Sequence, residues 1–168
     1  MLHLAYLSLG SNINPEVNLP AAVQRLKEYG TLRAVSNVWE TTPVGFLDQA
    51  NFLNAAVLLE TSEPAETFHA RVIRPIEQHL HRVRTGNPNA PRTIDLDLVL
   101  YDDQILTLAR HQIPAPDILT QAFVAIPLAE IAPTYRHPQT GQTLAQIAAQ
   151  FGLARAAMVK REEVKLPR

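Results

Sequence analysis

The sequence predicts an α+β fold in which an antiparallel sheet carries helices packed on one face. Three observations support this prediction: short apolar segments of strand length alternate with segments of helical spacing, turn-forming residues separate them, and hydrophobic residues make up 46% of the chain. A chain of 168 residues with this composition can bury a substantial core of its own. We therefore expect one domain that covers residues 1–168.

The first half of the chain supplies a strand, a helix and two further strands. Residues 2–9 (LHLAYLSL) are short, apolar and followed by the turn sequence GSN, which is typical of a core strand. Residues 15–29 have near-helical apolar spacing, and Gly30 provides a stop signal for that helix. The segments 31–42 and 51–61 are rich in β-branched and apolar residues and predict two strands.

A second helix and a fourth strand follow. The helix is predicted to begin near Pro64 and to end near Arg82. Its buried stripe, with members four residues apart, would consist of Phe68, Val72, Ile76 and Leu80. The breaker-rich segment 85–91 (TGNPNAP) predicts an exposed loop that leads into a strand over 92–101.

The order strand, helix, two strands, helix, strand is that of the ferredoxin-like βαββαβ unit. Beyond Asp103, residues 113–133 combine proline breaks with helical apolar spacing, and residues 144–152 predict a short helix. We expect these later segments to be C-terminal additions to that unit.

Composition and charge exclude several classes of protein. Fifteen basic and sixteen acidic residues leave a net charge of −1, so no global field attracts nucleic acid or an anionic membrane. The absence of cysteine excludes disulfides, a thiol nucleophile and a thiolate metal site. No apolar run reaches the roughly 18–20 residues of a membrane span, and the N-terminus lacks a signal pattern. We expect a cytoplasmic monomer without a nucleic-acid or membrane partner.

Residues 92–99 (RTIDLDLV) place two carboxylates in a run that is otherwise typical of a buried strand. Because side chains alternate along a strand, Asp95 and Asp97 would share one face at a separation of about 6.6–6.8 Å. The opposite face would carry Ile94, Leu96, Leu98 and Leu100. Two carboxylates at this spacing can bind one shared Mg²⁺ or a pair of ions about 3.5–4 Å apart, with a triphosphate as the other ligand. The alternative is a face that is simply solvated.

Three arginines bracket the flexible loop beside the acidic pair. Arg82 and Arg84 precede the loop and Arg92 follows it. The planar guanidinium group suits phosphate oxygens, and cations next to metal ligands indicate phosphoryl chemistry. A structural salt bridge from Arg92 to one of the two aspartates is the competing explanation.

Five motifs occur in order: SLGSN, NFLNAAV, PRT, IDLDLVLY and PLAEIAP. Through them the chain resembles the 6-hydroxymethyl-7,8-dihydropterin pyrophosphokinase family of folate biosynthesis over residues 4–133. The resemblance implies a ferredoxin-like fold, ATP as co-substrate and two Mg²⁺ ions. It also implies transfer of the β,γ-pyrophosphoryl group of ATP to the hydroxymethyl oxygen of the pterin, with release of AMP.

The resemblance also implies a set of site residues. The catalytic residues would be Arg82, Arg92, Asp95 and Asp97, with the two aspartates binding both metal ions. Further nucleotide contacts would come from Arg74, Glu77, Arg84 and Arg110. The pterin would be bound by Thr41, Val44, Phe52, Asn54 and Phe123. The chemistry is reasonable, since two phenyl rings can sandwich a flat heterocycle and an amide offers both donors and an acceptor. Without the resemblance, ordinary core packing would be the favoured explanation for the two phenylalanines.

Four positions depart from the family pattern. Asn89 replaces an aromatic residue of the closing loop, Ala115 replaces a histidine, Pro116 replaces a polar or aromatic residue, and Gln121 replaces a basic one. Each lost charged donor would weaken ATP binding by roughly 1.5–3 kcal/mol. These departures leave open an alternative, a divergent paralogue that binds a pterin or nucleotide without turnover or acts on a related pterin.

Overall fold

The structure is a computed structural model that describes residues 1–109 and 111–168. Its strands are β1 (His3–Ser11), β2 (Thr31–Val35), β3 (Trp39–Thr41), β4 (Phe52–Thr61), β5 (Asp95–Tyr101), β6 (Leu106–Leu108), β7 (His111–Ile113) and β8 (Val159–Lys160). Its helices are α1 (Pro15–Leu26), α2 (Ala65–Phe68), α3 (Arg74–His79), α4 (Asp117–Thr120), α5 (Ala122–Ile131), α6 (Leu144–Ala149) and α7 (Gly152–Ala156). A π-helical turn over His69–Ile73 joins α2 to α3.

The main sheet is antiparallel, and its strands lie in the order β5-β1-β4-β3-β8. Strand β2 pairs with a different stretch of β4, and β6 and β7 form a separate hairpin. The predicted combination of helices with an antiparallel sheet is therefore confirmed. Gly10 of β1 lies opposite Asn54 of β4 on one side and opposite Asp95 of β5 on the other.

Helices cover both faces of this sheet: those of the predicted βαββαβ unit pack on one face, and the C-terminal additions, which the sequence assigned to no face, pack on the other. On the first face, α1, α2 and α3 pack against alternate residues of β1 and β4 such as Leu7 and Val57. On the second face, α4, α5 and α6 pack against the intervening residues such as Tyr6 and Ala56. The runs in β1 and β4 are apolar at nearly every position, so apolar side chains project from both faces of the sheet. A helical layer on each face is needed to remove these side chains from water.

A β-bulge changes the predicted alternation in β5. Tyr6 pairs with Leu100 while Leu7 pairs with Leu98, which leaves Val99 as the extra residue. Before the bulge, Asp95 and Asp97 point to the second face, opposite Leu96. After it, Leu100 packs with the second-face cluster, so its predicted position on the Leu96 face is wrong.

The second predicted helix is interrupted by the π-helical turn. Phe68, Val72 and Ile76 are buried as the predicted stripe requires, and Leu80 is partly buried. A π-helical turn contains one residue more than an α-helical turn, which rotates the following residues relative to the predicted face. Ile73 and Glu77 are consequently buried as well. No helix in the described part of the chain combines the length and the apolarity needed to cross a membrane.

Replacing Gly30 by alanine should lower the free energy of unfolding. An added Cβ would lie 2.1 Å from the backbone carbonyl oxygen of Glu60, which belongs to the sheet and cannot move freely. Forced overpacking of this kind costs about 3 kcal/mol, and urea denaturation would measure the loss. Gly86→Ala is the matched control, because nothing lies within 4 Å of an added Cβ there. Equal stability of Gly30→Ala and the wild type would contradict the strand contact.

A buried histidine predicts acid sensitivity of the fold. His137 is 1% exposed, its Nδ1 accepts a hydrogen bond from the Gln139 backbone at 3.3 Å, and its buried Nε2 has no partner among the described residues. Burial lowers the pKa of His137 below its ordinary value. The unfolded chain therefore binds the proton first as pH falls, and stability is lost below a pH of about 6.5.

Replacing His137 by asparagine keeps a hydrogen-bond acceptor but removes this titration. As pH falls from neutral to acid, the free energy of unfolding of the wild type should decrease more than that of His137→Asn. Urea titrations at several pH values would measure it. His81→Asn, a change of an exposed histidine, should run parallel to the wild type. Parallel curves for His137→Asn as well would refute the prediction.

Candidate active site

A cavity of about 740 Å³ opens on the second face of the sheet. Its floor crosses β3, β4, β1 and β5 in that order, and the β6–β7 hairpin and α5 form its walls. Because of this strand order, the predicted site residues follow one another along the cavity floor. Those assigned to the pterin lie at the β3 and β4 end, the acidic pair lies on β5, and the hairpin closes the far end.

The structure brings all five residues assigned to the pterin to this cavity. They are Thr41, Val44, Phe52, Asn54 and Phe123. Asn54 is 4% exposed, and its Nδ2 donates to Thr41 Oγ1 at 2.8 Å. Phe52 and Phe123 are half-buried, and the Arg92 guanidinium lies 5.7 Å from the centre of the Phe52 ring. Val44 belongs to an exposed loop at the cavity mouth.

The two aspartates of β5 have different partners. Asp95 Oδ1 accepts from Arg82 Nη1 at 3.1 Å, and Asp95 Oδ2 accepts from Arg92 Nη1 at 2.9 Å. The structural salt bridge that was considered as an alternative is thus present at Asp95. Within the described residues Asp97 has no ion-pair partner and lies on the cavity floor.

Two effects raise the pKa of Asp97 above its ordinary value. The protein that encloses the cavity removes bulk water, and Asp95 places a second negative charge nearby. Glu77 and Asp117 add to the effect, and only Arg82 opposes it. The Asp97 side chain is itself exposed to water inside the cavity, and screening by that water reduces both effects.

The acidic cluster fits a hard divalent cation that is shared with a substrate. Asp95, Asp97 and Asp117 all line the cavity, and carboxylate oxygens are ligands that Mg²⁺ accepts. In the part of the chain that the structure describes, no three acidic, histidine or cysteine side chains form a complete metal cage. A Mg²⁺ ion here would therefore depend on phosphate or water oxygens, which is how Mg²⁺ binds in many nucleotide sites.

The residues assigned to the nucleotide are only partly brought together. Arg84 ion-pairs with Glu77 at 2.6 Å, and the structure places this pair outside the cavity lining. Arg74 is exposed on α3, whereas Glu77 is 2% exposed, so the two do not present a common surface to a ligand. That both contact the nucleotide stays a prediction. Arg110 lies outside the described residues.

Hydrogen bonds link the loop over residues 42–51 to the loop over residues 80–94 at the cavity mouth. Asn12 Oδ1 accepts from the Arg92 backbone at 2.8 Å, and Asn12 Nδ2 donates to Gln49 Oε1 at 2.8 Å. Gln49 Nε2 in turn donates to the backbone carbonyl of Asn89 at 2.8 Å. Asn89 thus takes part, through its backbone, in a polar link between the loops.

Sequence reasoning did not identify two residues of the cavity wall. Asp117 stands at the start of α4, and His111 stands on β7, where its ring lies 5.1 Å from that of His69. Burial, followed by the charges of His111 and Arg84, lowers the pKa of His69. No local sequence signal marks either residue, because each reaches the cavity through packing between distant elements. The departures Ala115, Pro116 and Gln121 also line the cavity.

Comparisons with known proteins identify the family of this chain. The sequence model of the family described as 7,8-dihydro-6-hydroxymethylpterin-pyrophosphokinase (HPPK) matches residues 6–133. The 2-amino-4-hydroxy-6-hydroxymethyldihydropteridine pyrophosphokinase of Bacillus subtilis strain 168 is 40% identical over 135 residues, which are 78% of this chain and 79% of that protein. The protein of the same name from Pseudomonas aeruginosa PAO1 is 35% identical over 153 residues, or 89% and 92% of the two chains.

A solved structure shares the fold at low sequence identity. Wild-type Plasmodium falciparum HPPK-DHPS with pterin and p-hydroxybenzoate has a TM-score of 0.73 and 13% identity. The match covers 95% of this chain and 45% of the Plasmodium chain, so this chain corresponds to less than half of that longer protein. The family match over most of the chain and two relatives above 30% identity lead to one conclusion: this chain belongs to the 7,8-dihydro-6-hydroxymethylpterin-pyrophosphokinase family.

Proposed function

We propose that this chain transfers the β,γ-pyrophosphoryl group of ATP to the hydroxymethyl oxygen of 6-hydroxymethyl-7,8-dihydropterin. The products are AMP and the pterin diphosphate, an intermediate of folate biosynthesis. One observation carries the proposal: a single cavity joins Asp95, Asp97 and Arg92 to an end lined by two phenylalanines and a buried amide. Membership in the family supports it independently.

The aromatic end of the cavity suits the acceptor. Phe52 and Phe123 offer two half-buried rings for a flat heterocycle, and stacking of this kind adds about 0.5–1.5 kcal/mol beyond area burial. Asn54 is held by its bond to Thr41, so its amide is already oriented before a ligand arrives. A pterin bound there would direct its hydroxymethyl group along the floor toward the acidic strand.

The acidic strand suits the pyrophosphoryl group. Asp95 and Asp97 would hold two Mg²⁺ ions, which when bound neutralise charge on the phosphate oxygens. Arg82 and Arg92 already point at this position, because both donate to Asp95. Phosphate oxygens can replace that carboxylate as their acceptor. The protein then contributes positioning and charge neutralisation, which dominate catalysis of phosphoryl transfer.

Three properties of the whole chain are part of the same proposal. Residues 1–168 act as one domain, and the strand neighbours β5-β1-β4, with β2 and β3 beyond, support a ferredoxin-like unit. The chain works as a monomer in the cytoplasm. Its partners are ATP and the pterin.

The direct test measures AMP. Purified protein, ATP, Mg²⁺ and hydroxymethyl-dihydropterin should yield AMP and pterin diphosphate in equal amounts, and omission of the pterin should abolish AMP release. Chromatography of the nucleotides gives the result. No AMP at high protein concentration, with pterin binding still detectable by calorimetry, would reject the enzyme and favour the non-catalytic paralogue.

A further inference from the structure

The aromatic end of the cavity depends on a short strand. Strand β3 has three residues, and two of them accept hydrogen bonds from the Asn54 amide. Asn54 Nδ2 donates to Thr41 Oγ1 at 2.8 Å and to the backbone carbonyl of Trp39 at 3.4 Å. Asn54 lines the cavity, so the orientation that its amide presents to a ligand follows the position of β3.

The segment over residues 159–168 supports β3 on the side away from β4. Strand β8 pairs with β3, and the Arg161 backbone N–H then donates to the Val38 carbonyl at 2.9 Å. Further along, Val164 and Leu166 pack against the first-face core. This segment lies beyond the residues that the family model matches. A strand as short as β3 forms few ladder bonds of its own, so the second neighbour restrains where it lies.

The Arg161 side chain also contacts the ends of the loop over residues 42–51. Glu40 stands before this loop, and Asn51 is its last residue. Glu40 Oε2 accepts from Arg161 Nη1 at 2.7 Å, and Glu40 Oε1 accepts from Asn51 Nδ2 at 3.0 Å. The bond from Asn51, followed by the bond from Arg161, lowers the pKa of Glu40. Glu40 is therefore a carboxylate at neutral pH, and it holds the two ends of the loop together.

Both ends of this loop are next to residues of the cavity. Thr41 follows Glu40 along the chain. Phe52 follows Asn51, and it pairs with Thr41 in the ladder between β3 and β4. Thr41 and Phe52 line the cavity, whereas Arg161 is not among its lining residues. A shift of the loop ends would therefore move a hydroxyl group and a phenyl ring that the cavity presents to a ligand.

We propose that Arg161 is a positioning residue for the pterin: it fixes Glu40, and through Glu40 it fixes β3 and the ends of the loop, without touching the ligand. The inference rests on the proposed function, because it requires a flat heterocycle at the end of the cavity that Phe52 and Asn54 line. The acidic strand β5 lies beyond β4 and β1 in the sheet, so the phosphate end should not respond to a change at Arg161.

Arg161→Gln removes the charge and keeps the backbone bond to Val38. Both side chains of the pair with Glu40 are partly exposed. We therefore expect the dissociation constant for hydroxymethyl-dihydropterin to rise about fivefold, the upper range for such an ion pair. Both kcat at saturating substrates and the affinity for a nonhydrolysable ATP analogue should stay within about twofold of wild type. Calorimetry in the presence of that analogue and Mg²⁺ measures pterin binding without turnover.

A double-mutant cycle with Glu40→Gln tests the route of this effect. Arg161 Nη2 also lies 3.6 Å from Glu16 Oε1, and Arg161 Nε donates to Glu163, so the single variant removes more than one contact. Glu40→Gln keeps an oxygen that can accept from Asn51 and turns its NH₂ group toward Arg161. If Arg161 acts through Glu40, then Arg161→Gln should change pterin affinity less than about twofold in the Glu40→Gln background.

Arg33→Gln is the matched control, because Arg33 pairs with Glu60 at 2.7 Å on the same sheet but lies outside the cavity. It should leave pterin affinity unchanged. An effect of Arg161→Gln that persists in the Glu40→Gln background would show that Arg161 acts by another route. A fall in melting temperature with unchanged pterin affinity would show that Arg161 only stabilises the fold.

An equal loss of affinity for the pterin and for the ATP analogue would show a general structural defect. Each of these three results would overturn the proposal. Wild-type protein that binds no pterin would reject the proposed function itself, so the two failures are distinguished.

Discussion

Replacing Asp97 by asparagine should lower kcat by about 1,000-fold, the cost typical of losing one group that stabilises transition-state charge. Asp97 lies on the cavity floor and has no ion-pair partner among the described residues, whereas Asp95 is already neutralised by two arginines. Of the two carboxylates, Asp97 would therefore gain more from a bound cation. Asparagine keeps the shape of the side chain but removes the charge that would hold Mg²⁺.

The same substitution should raise the melting temperature of the metal-free protein. It removes one negative charge from a site where burial, followed by repulsion from Asp95, Glu77 and Asp117, raises the pKa of Asp97. A loss of activity together with a gain in stability cannot be attributed to misfolding. Mg²⁺ with an ATP analogue should stabilise the wild type and fail to stabilise Asp97→Asn, since ligands stabilise only the folded state that they bind.

Steady-state kinetics, calorimetry and thermal unfolding measure these effects. The affinity for the pterin should remain within about threefold of wild type, or roughly 0.7 kcal/mol, because its proposed contacts lie on β3, β4 and α5. Asp103→Asn is the control, since Asp103 is exposed and outside the cavity. An Asp97→Asn variant that retains full kcat would remove Asp97 from the proposed metal site.

The predictable part of this fold comes from local patterns. The period-two alternation around Asp95 and Asp97 correctly places both on one face, because alternation is a local property of a strand. The apolar runs at β1 and β4 and the helix that ends before Gly30 are likewise encoded by neighbouring residues. These patterns determine where strands lie and which residues face together.

The remainder depends on pairing between distant elements. The bulge at Val99 reflects the register between β1 and β5, and no residue in β5 alone announces it. The coverage of the second face depends on how α5 packs against β1 and β4. Register and layer order are long-range properties, and periodicity cannot supply them.

The candidate site shows the same division. Asp95, Asp97 and Arg92 occur within six residues of one another and were recognisable as a group. Glu77 and Asp117 join that group through tertiary packing alone. A charged residue in a helical pattern ordinarily indicates a solvated face, and here the π-helical turn before α3 helps to bring Glu77 inward.

Arg92→Lys should lower kcat by about 100-fold through the loss of charge-assisted hydrogen bonds that a lysine cannot reproduce. Arg92 donates from Nη1 to Asp95, from Nε to the Ala90 carbonyl at 3.1 Å and from Nη2 to the Pro88 carbonyl. It also lies over the Phe52 ring. One guanidinium thus connects the loop, the acidic strand and the pterin end, and lysine keeps only its charge.

The variant separates the two explanations that the sequence left open. If Arg92 serves phosphate binding and transfer, kcat falls while the free energy of unfolding changes by less than about 1 kcal/mol, as for other partly exposed ion pairs. If its role is only the structural bridge to Asp95, stability falls and kcat at saturating substrate stays near wild type. Arg33→Lys is the matched control, because Arg33 also bonds to a carboxylate, Glu60 at 2.7 Å, but lies outside the cavity. Asp95 accepts from both Arg82 and Arg92, so Arg82 keeps that carboxylate paired in Arg92→Lys. A large loss of rate would therefore reflect the reaction rather than an unpaired carboxylate at Asp95.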